Sequence, residues 1–325
     1  MTTLVTGAGG FIGSHVTEAL LRAGHNVRAL VHYNSRGSRG HLEYLEADLL
    51  SQVDIRLGDI TDSAFVRELV AGCDTVLHLA ALIAIPYSYQ APASYVAANI
   101  GGTLNVLEAC RASHVTRLVI TSTSEVYGTA RYTPIDEDHP LQGQSPYAAS
   151  KIGADKLAES FWRSFDLPVV TLRPFNTYGP RQSARAIIPT VLTQALAGAP
   201  EIRLGNLDPK RDLTFVEDTA RAFLLAAETP GIEGEVIHFG QGYAVSVGEI
   251  AQRCLEVVGS HASVVSVAER QRPDRSEVGL LLCGAERARR RLGWTPQVTL
   301  EEGLRRTANY LRQNLGQYQT NQYVV

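Results

Sequence analysis

The feature that most constrains this chain is a glycine-rich turn close to its start. A β-branched run at residues 3–6 leads into Gly7-Ala-Gly-Gly10-Phe-Ile-Gly13. A helical pattern follows, with Val16, Ala19, Leu20 and Ala23 on one face. Gly7 permits a tight turn, Gly10 lets backbone approach a pyrophosphate, and Gly13 lets the helix pack closely on the strand. The helix N-terminus offers unpaired N–H groups and the positive end of a dipole to an anion. A glycine triplet alone is weak evidence. Between strand and helix at the head of an α/β chain it predicts a dinucleotide site, and the bland alternative is a glycine-rich turn without a ligand.

The same alternation continues. Strand patterns at residues 27–31, 53–57, 75–79, 117–121 and 168–173 are separated by helical ones after Asp62, at 93–112 and at 146–165. Such strict alternation requires right-handed crossovers. The expected fold is therefore α/β, a Rossmann-type doubly wound parallel sheet with a smaller mixed C-terminal substrate-binding domain. Residues 1–174 are assigned to the dinucleotide-binding domain. Residues 175–325 are assigned mainly to the substrate domain, with the chain crossing back between the two. In the second part the patterns are a helix near 187–196, a strand at 213–216, a helix at 218–228 and a strand at 235–239. Residues 317–325 read as a poorly packed tail.

Composition excludes several classes. With 45% hydrophobic residues and a net charge of −3, the chain of 325 residues has a full core and no disorder signature. A balance of 30 basic and 33 acidic residues gives no general field for nucleic acid or an anionic membrane. The longest apolar run, residues 76–85, is too short to span a bilayer. No signal pattern opens the sequence, so a soluble cytoplasmic protein is expected. The four cysteines show no C-x-x-C spacing, which predicts buried reduced thiols and no metal site.

The second chemical motif is Tyr147-Ala-Ala-Ser-Lys151. On a helix, positions four apart share a face, so phenol and ammonium meet in one pocket. The ammonium is expected to favour phenolate and fit the tyrosine for general-base work. With 13 tyrosines and three lysines in the chain, chance placement gives about 0.1 such pairs, so the spacing is informative. The competing reading is a surface helix with a packed tyrosine and a solvated lysine. Ser145-Pro146 supplies an N-cap and first helical residue just before.

Taken in order, these motifs resemble the extended short-chain dehydrogenase/reductase family, in its nucleotide-sugar epimerase and dehydratase branch. The resemblance also includes Gly58-Asp59-Ile60, His78-Leu-Ala-Ala81, Asn99-Ile-Gly-Gly-Thr103 and Thr121-Ser-Thr-Ser-Glu-Val-Tyr-Gly128. It continues through Arg173-Pro-Phe-Asn-Thr-Tyr-Gly-Pro180 and Arg211-Asp212. It implies a nicotinamide dinucleotide on Gly7, Gly10, Phe11, Ile12, Gly13, Tyr33, Asn34, Arg36, Asp59, Ile60, Leu79, Ala80, Ala81 and Pro174, with Tyr147 and Lys151 at the riboses. NAD is the expected cofactor. NADP is the alternative, because the second strand ends His32-Tyr33-Asn34 without a carboxylate and Arg36 stands near for a 2′-phosphate.

Thr123-Ser124-Glu125 discriminates within the branch. The resemblance places Thr123 at the sugar C4 hydroxyl. A 4-epimerase only moves a hydride off and back onto C4 and needs no further carboxylate. Oxidation at C4 acidifies the C5 proton, which Glu125 is positioned to remove before hydroxide leaves C6. The alternative is that Glu125 caps a helix or pairs with an arginine. Deoxythymidine-diphosphate-glucose dehydratases carry Asp-Glu where this chain has Ser124-Glu125, which leaves the proton donor to the C6 hydroxyl open between Glu125, Ser124 and water. Guanosine-diphosphate-mannose dehydratases and uridine-diphosphate-glucuronate decarboxylases carry Ser-Glu.

Residues 80–89 and 174–189 are similar to the 4,6-dehydratases of the legionaminic acid pathway, which act on a nucleotide-linked N-acetylglucosamine. The expected activity is therefore 4,6-dehydration of uridine-diphosphate-N-acetylglucosamine. Glucuronate decarboxylation, 4-epimerisation and a non-catalytic dinucleotide sensor are the competing readings. The substrate is expected on Tyr87, Ser88, Asn176, Arg185, Ile188, Leu204, Arg211 and Arg272, with Arg181 and Arg185 the weaker candidates and Tyr87, Ser88 and Tyr89 on a loop near the sugar. Arginine forks suit diphosphate oxygens, although any single one is equally a solvated surface residue. His78 reads as a core histidine. The resemblance also implies a homodimer through the helices at 93–112 and 146–165. Their apolar residues are Val96, Ile100, Leu104 and Leu107, and Leu157, Phe161, Trp162 and Phe165.

Overall fold

A computed structural model describes residues 1–318. In chain order the first half runs β1 (Thr2–Thr6), α1 (Phe11–Arg22), β2 (Asn26–His32), α2 (Ala47–Leu50), β3 (Asp54–Gly58), α3 (Ser63–Val70) and β4 (Thr75–His78). Then come α4 (Ile85–Gln90), α5 (Pro92–Tyr95), α6 (Gly102–Ala112), β5 (Arg117–Thr121), α7 (Pro146–Phe165) and β6 (Val169–Pro174). The second half comprises β7 (Asn176–Tyr178), α8 (Ile187–Leu196), β8 (Glu201–Leu204), β9 (Lys210–Arg211), β10 (Leu213–Phe215), α9 (Val216–Glu228), β11 (Val236–Phe239) and β12 (Val245–Ser246). It closes with α10 (Val247–Val258), β13 (Ser263–Ser266), β14 (Leu280–Leu281), α11 (Glu286–Leu292) and α12 (Leu300–Asn314).

The main sheet has seven parallel strands in the order β11-β6-β5-β4-β1-β2-β3. Both faces are covered, so its central strands are largely apolar and consecutive residues feed opposite cores, while the edge strand β3 keeps Asp54 and Arg56 in solvent. Val5, Leu77, Val119 and Val170 join one core, while Leu4, Val76, Leu118 and Val169 join the other. Strand order reverses between β1 and β4, which opens a crevice at the carboxyl ends of the strands. The chain returns to this sheet late, when α9 packs beside α1 and β11 adds the seventh strand next to β6. A third core, with Tyr178, Ile188, Phe215, Ile250 and Leu304, gathers α8, α10 and α12 over the crevice.

The helix expected over residues 93–112 is interrupted. A π-helical turn, Val96–Gly101, separates α5 from α6. It carries Asn99, whose side chain accepts from Leu82 N at 2.8 Å and donates to Leu82 O and Ser150 Oγ. One amide thus ties the loop after β4 to α7, a use common for π-turns near functional sites. Two residues expected on a dimer face, Leu107 and Phe161, instead belong to the chain's own core, because α6 and α7 pack on each other and on the sheet. Val96 and Phe165 remain 54% and 48% exposed. Of the expected tail, Gln317 ends the 3₁₀ turn Leu315–Gln317, Tyr318 packs on the third core and donates to Gln182 O at 3.2 Å, and residues 319–325 lie outside the described residues. All four cysteines are buried and free. Among the described residues no helix is long and apolar enough to cross a membrane, and no group of side chains forms a metal site.

Candidate active site

The crevice is a cleft of 1540 Å³ running from the β1–α1 turn to the loops over β9. A drug-sized ligand occupies roughly 300–1,000 Å³, so this volume suits two ligands side by side. At one end the glycine turn has the expected geometry. Gly7 takes φ +70°, and a Cβ there would stand 2.8 Å from Ala80 N. A Cβ on Gly13 would reach 2.1 Å from Gly7 O, so only hydrogen fits. Helix α1 starts at Gly10 with no side-chain cap and no acidic residue in its first turn, which leaves its N–H groups free for an anion.

The neighbouring strand ends complete this half. Thr6 Oγ1 accepts from both Leu79 N and Ala80 N at 3.1 Å, which fixes the loop holding Leu79, Ala80 and Ala81 against the cleft. His78 sits behind, between Thr6 Oγ1 at 2.8 Å and Thr103 Oγ1 at 3.1 Å. Burial, reinforced by the Lys151 charge, holds its pKa down to about 3, so it is a neutral structural cross-tie as expected. Asp59 and Ile60 line the cleft with His32, Asn34 and Ser38. Tyr33 and Arg36 do not, which corrects the expectation for both. Tyr33 is 63% exposed, while His32, itself open to solvent, meets Asp59 at 3.2 Å at the rim of the cleft. Asn34 bonds both Ser38 N and Ser38 O, and the turn it closes carries Arg36 outward.

The chemical constellation gathers where α7 meets β5. Ser145 Oγ caps α7 by accepting from Ala148 N at 3.1 Å, and Pro146 follows, so Tyr147 enters in the first turn. Thr123 stands beside Tyr147, Lys151 Nζ donates to Thr121 O at 2.6 Å, and Thr123 caps the 3₁₀ turn Ser124–Tyr127 that presents Glu125. Glu125 is close enough for its charge to act on both Tyr147 and Arg211. Thr123, Ser124, Glu125, Tyr147 and Lys151 all line the one cleft. The electrostatics differ from expectation. Burial pushes the Tyr147 phenol well above its ordinary range, with Thr123 opposing and the Glu125 charge adding to the rise. Lys151 is itself lowered by burial, against the charge of Asp155.

The far half of the cleft holds polar groups without protein partners. Asn176 Oδ1, Gln182 Oε1 and Thr121 Oγ1 are buried and lack a hydrogen bond among the described residues, and all three residues line the cleft. Such atoms mark a site completed by a ligand. Arg211 is buried, bonds Val278 O at 2.7 Å and reaches Glu277 at 3.4 Å, while Arg272 lies 3.7 Å from the same carboxylate. Arg185, Ile188, Leu204 and Pro174 also line the space. Arg181 does not. It is fixed to Glu18 at 2.8 Å and serves the junction between α1 and the chain after β7.

Tyr87 and Ser88 are further corrections. Residues 85–90 form the helix α4 rather than a loop, Ser88 is fully buried with its hydroxyl on Ile85 O, and Tyr87 packs toward Tyr95. Tyr89 is the residue that reaches the cleft, and its hydroxyl meets Ser276 Oγ at 2.6 Å across the opening. Sequence reading missed Gln182, Asn206 and Glu277. Gln182 and Glu277 lie close to residues it singled out, but neither has a spacing that would set it apart from a surface residue.

The chain matches the profile described as GDP-mannose 4,6 dehydratase over residues 4–307. It is 35% identical to a dTDP-glucose 4,6-dehydratase of Actinoplanes sp., over 97% of this chain and 98% of that protein. It is 33% identical to a UDP-glucose 4-epimerase of Mycolicibacterium smegmatis, over 96% and 99%. A solved dTDP-glucose 4,6-dehydratase from Streptomyces venezuelae, with NAD bound, superposes with a TM-score of 0.89 at 31% identity, covering 98% of this chain and 99% of that one. With this fold, this cleft and this match along almost its whole length, the chain belongs to the GDP-mannose 4,6 dehydratase family of nucleotide-sugar dehydratases and epimerases.

Proposed function

We propose that this protein is a cytoplasmic, homodimeric, NAD-dependent nucleotide-sugar 4,6-dehydratase that converts uridine-diphosphate-N-acetylglucosamine to the 4-keto-6-deoxy sugar. The observation that carries the reading is the place of Glu125. It lines the cleft beside Tyr147, it is not the cap of its turn, and no cation lies within ion-pair distance of it among the described residues. A carboxylate so placed is surplus to a simple 4-epimerase and is what proton removal from C5 requires.

The residues present fit NAD. The turn from Gly7 to Gly13 and the open N-terminus of α1 suit its pyrophosphate, Asn34, Asp59 and Ile60 the adenosine end, and Leu79–Ala81, Pro174, Tyr147 and Lys151 the nicotinamide end. The outward course of Arg36 supports NAD over NADP. When bound, NAD supplies a two-electron acceptor for C4 whose hydride returns to C6 before product leaves. Tyr147 takes the C4 hydroxyl proton, with Thr123 fixing that oxygen. Lys151 fixes Thr121 and the cofactor ribose. Glu125 then removes the proton from C5, and the C6 hydroxyl departs as water with a proton from Glu125, relayed directly or through Ser124 or water; a proton from solvent replaces the one lost at C5 as C6 is reduced. Asn176, Arg211 and Arg272 suit the diphosphate, and Ile188 and Leu204 the base. Ile83, Ala84, Ile85 and Pro86 form an apolar wall that accommodates an acetamido methyl group.

Decarboxylation at C5 and 4-epimerisation remain the second readings, the latter favoured by the 33% identity to a 4-epimerase. Incubation with a panel of nucleotide sugars in heavy water separates them. Dehydration gives loss of water with deuterium from solvent at C5. Loss of carbon dioxide, or an isomer of unchanged mass, overturns the proposal.

A further inference from the structure

Helix α7 carries a third ionisable residue on the face that bears Tyr147 and Lys151. Asp155 follows Lys151 by four residues, as Lys151 follows Tyr147, so the three align along one side. Asp155 is buried, and no step of the proposed reaction uses it. Its Oδ2 accepts from Ser122 Oγ at 2.7 Å and from Arg173 Nη2 and Nε at 2.9 and 3.2 Å. Its Oδ1 has no partner among the described residues, and the residue lines a separate cavity of 480 Å³ behind the cleft. One reading is an ion pair kept for the fold alone.

A second observation argues for more. Three residues of α7 face three consecutive residues where β5 ends. Lys151 donates to Thr121 O, Ser122 donates to Asp155, and Thr123 stands beside Tyr147. Glu125 rides on the same segment. From the other side Arg173 donates to the Tyr127 hydroxyl, which meets His238, so the turn carrying Glu125 is gripped at both ends by groups tied to Asp155.

We propose that Asp155 is a positioning residue for the Tyr147–Lys151 pair, fixing residues 121–123 through Ser122 and keeping a negative charge beside the buried ammonium. It touches neither substrate nor cofactor. The proposal rests on Tyr147 and Lys151 being the oxidising pair named above and is indifferent to which bond breaks afterwards. The titratable groups around this corner are Tyr147 and Asp155 on α7, Tyr95 on α5, Glu125 and Tyr127 after β5, His78 on β4, Arg173 on β6 and His238 on β11. Burial keeps both histidines neutral, so they contribute no charge of either sign. Arg173 is balanced by Asp155 itself. Replacing Asp155 by Asn therefore removes the neighbouring charge that favours the Lys151 ammonium and leaves burial to oppose it.

The chain has only three lysines, and Lys156 and Lys210 are exposed, so ¹⁵N NMR of the side-chain ammonium groups reads Lys151 directly. In ligand-free Asp155→Asn the Lys151 midpoint falls by about one to three pH units while the other two stay in place. The alkaline limb of kcat/KM moves down with it, and kcat falls roughly tenfold to hundredfold with little change in KM. Asp155→Glu restores the limb. Ser122→Ala, which keeps the carboxylate, lowers kcat with the Lys151 midpoint unmoved. A folded Asp155→Asn with wild-type midpoint and limb overturns the proposal. So does wild-type kcat in Ser122→Ala, which decides the matter even where Asp155→Asn does not fold. Should the wild-type protein turn over no nucleotide sugar, the proposed reaction fails, but the Lys151 midpoint still decides the role of Asp155.

Discussion

At the scale of single residues, two side chains divide the proposed chemistry. Tyr147 packs edge-on to Tyr95, so Tyr147→Phe keeps the ring contact and loses the proton acceptor. We expect turnover to fall roughly 10²- to 10⁴-fold with an almost unchanged melting temperature. Near-normal turnover would remove Tyr147 from its role. Because burial keeps this phenol protonated in the ligand-free molecule, proton acceptance belongs to the filled site. Glu125→Gln should still allow oxidation at C4 and block elimination. Stopped-flow absorbance at 340 nm would then show reduced cofactor accumulating during a first turnover, and a wild-type rate of product formation would end the dehydratase reading.

At the scale of elements, the β1–α1 turn is the part least able to change. Gly13→Ala sets a methyl carbon 2.1 Å from Gly7 O, so α1 must move off β1. We expect a loss of about 1–3 kcal/mol in stability and the loss of NAD binding by calorimetry; retained binding would show that the turn tolerates the shift. These are also the elements most legible in sequence. A strand buried on both faces writes itself as a short apolar run, and a capped helix such as α7 announces its start with Ser145-Pro146. What escaped has a common cause. The π-turn around Asn99 follows from a tertiary bond to Leu82 and Ser150, which no local pattern encodes. Tyr33 and Arg36 were misassigned because β2 ends at His32, and the turn that Asn34 closes onto Ser38 decides which side chains enter the cleft. Tyr87 and Ser88 were misassigned because α4 turned an expected loop into a helix with its own inward face. Glu277 gains meaning only when folding brings it to Arg211 and Arg272.

At the scale of the whole molecule, α1 is locked to the chain after β7 through His15, whose Nε2–H donates to Pro180 O at 3.1 Å. Burial, with Arg181 nearby, lowers the pKa of His15 to about 4. Because the folded form resists protonation, its stabilising contribution is complete above pH 6.5 and is lost progressively as pH falls toward 4. For His15 alone the loss amounts to about 3 kcal/mol. His15→Gln should flatten this part of the curve of melting temperature against pH, and an unchanged slope would assign the acid sensitivity elsewhere. Val96 and Phe165, left exposed on the helices beside the site, are the residues proposed to meet a second copy. Sedimentation at micromolar concentration should give a dimer that Phe165→Glu dissociates, and a monomeric wild-type protein would refute the assembly.

The Tyr89–Ser276 hydrogen bond joins the two banks of the cleft at its mouth. Both hydroxyls are within reach of solvent and exchange this bond for one to water at a net cost of only about 1 kcal/mol. A clasp so weak unfastens many times in the course of one catalytic cycle. In the proposed reaction, retention of the ketone-bearing sugar therefore falls to Asn176, Arg211 and Arg272, the residues proposed to grip its diphosphate tail. Shortening that tail to a monophosphate should release the unfinished sugar into solution.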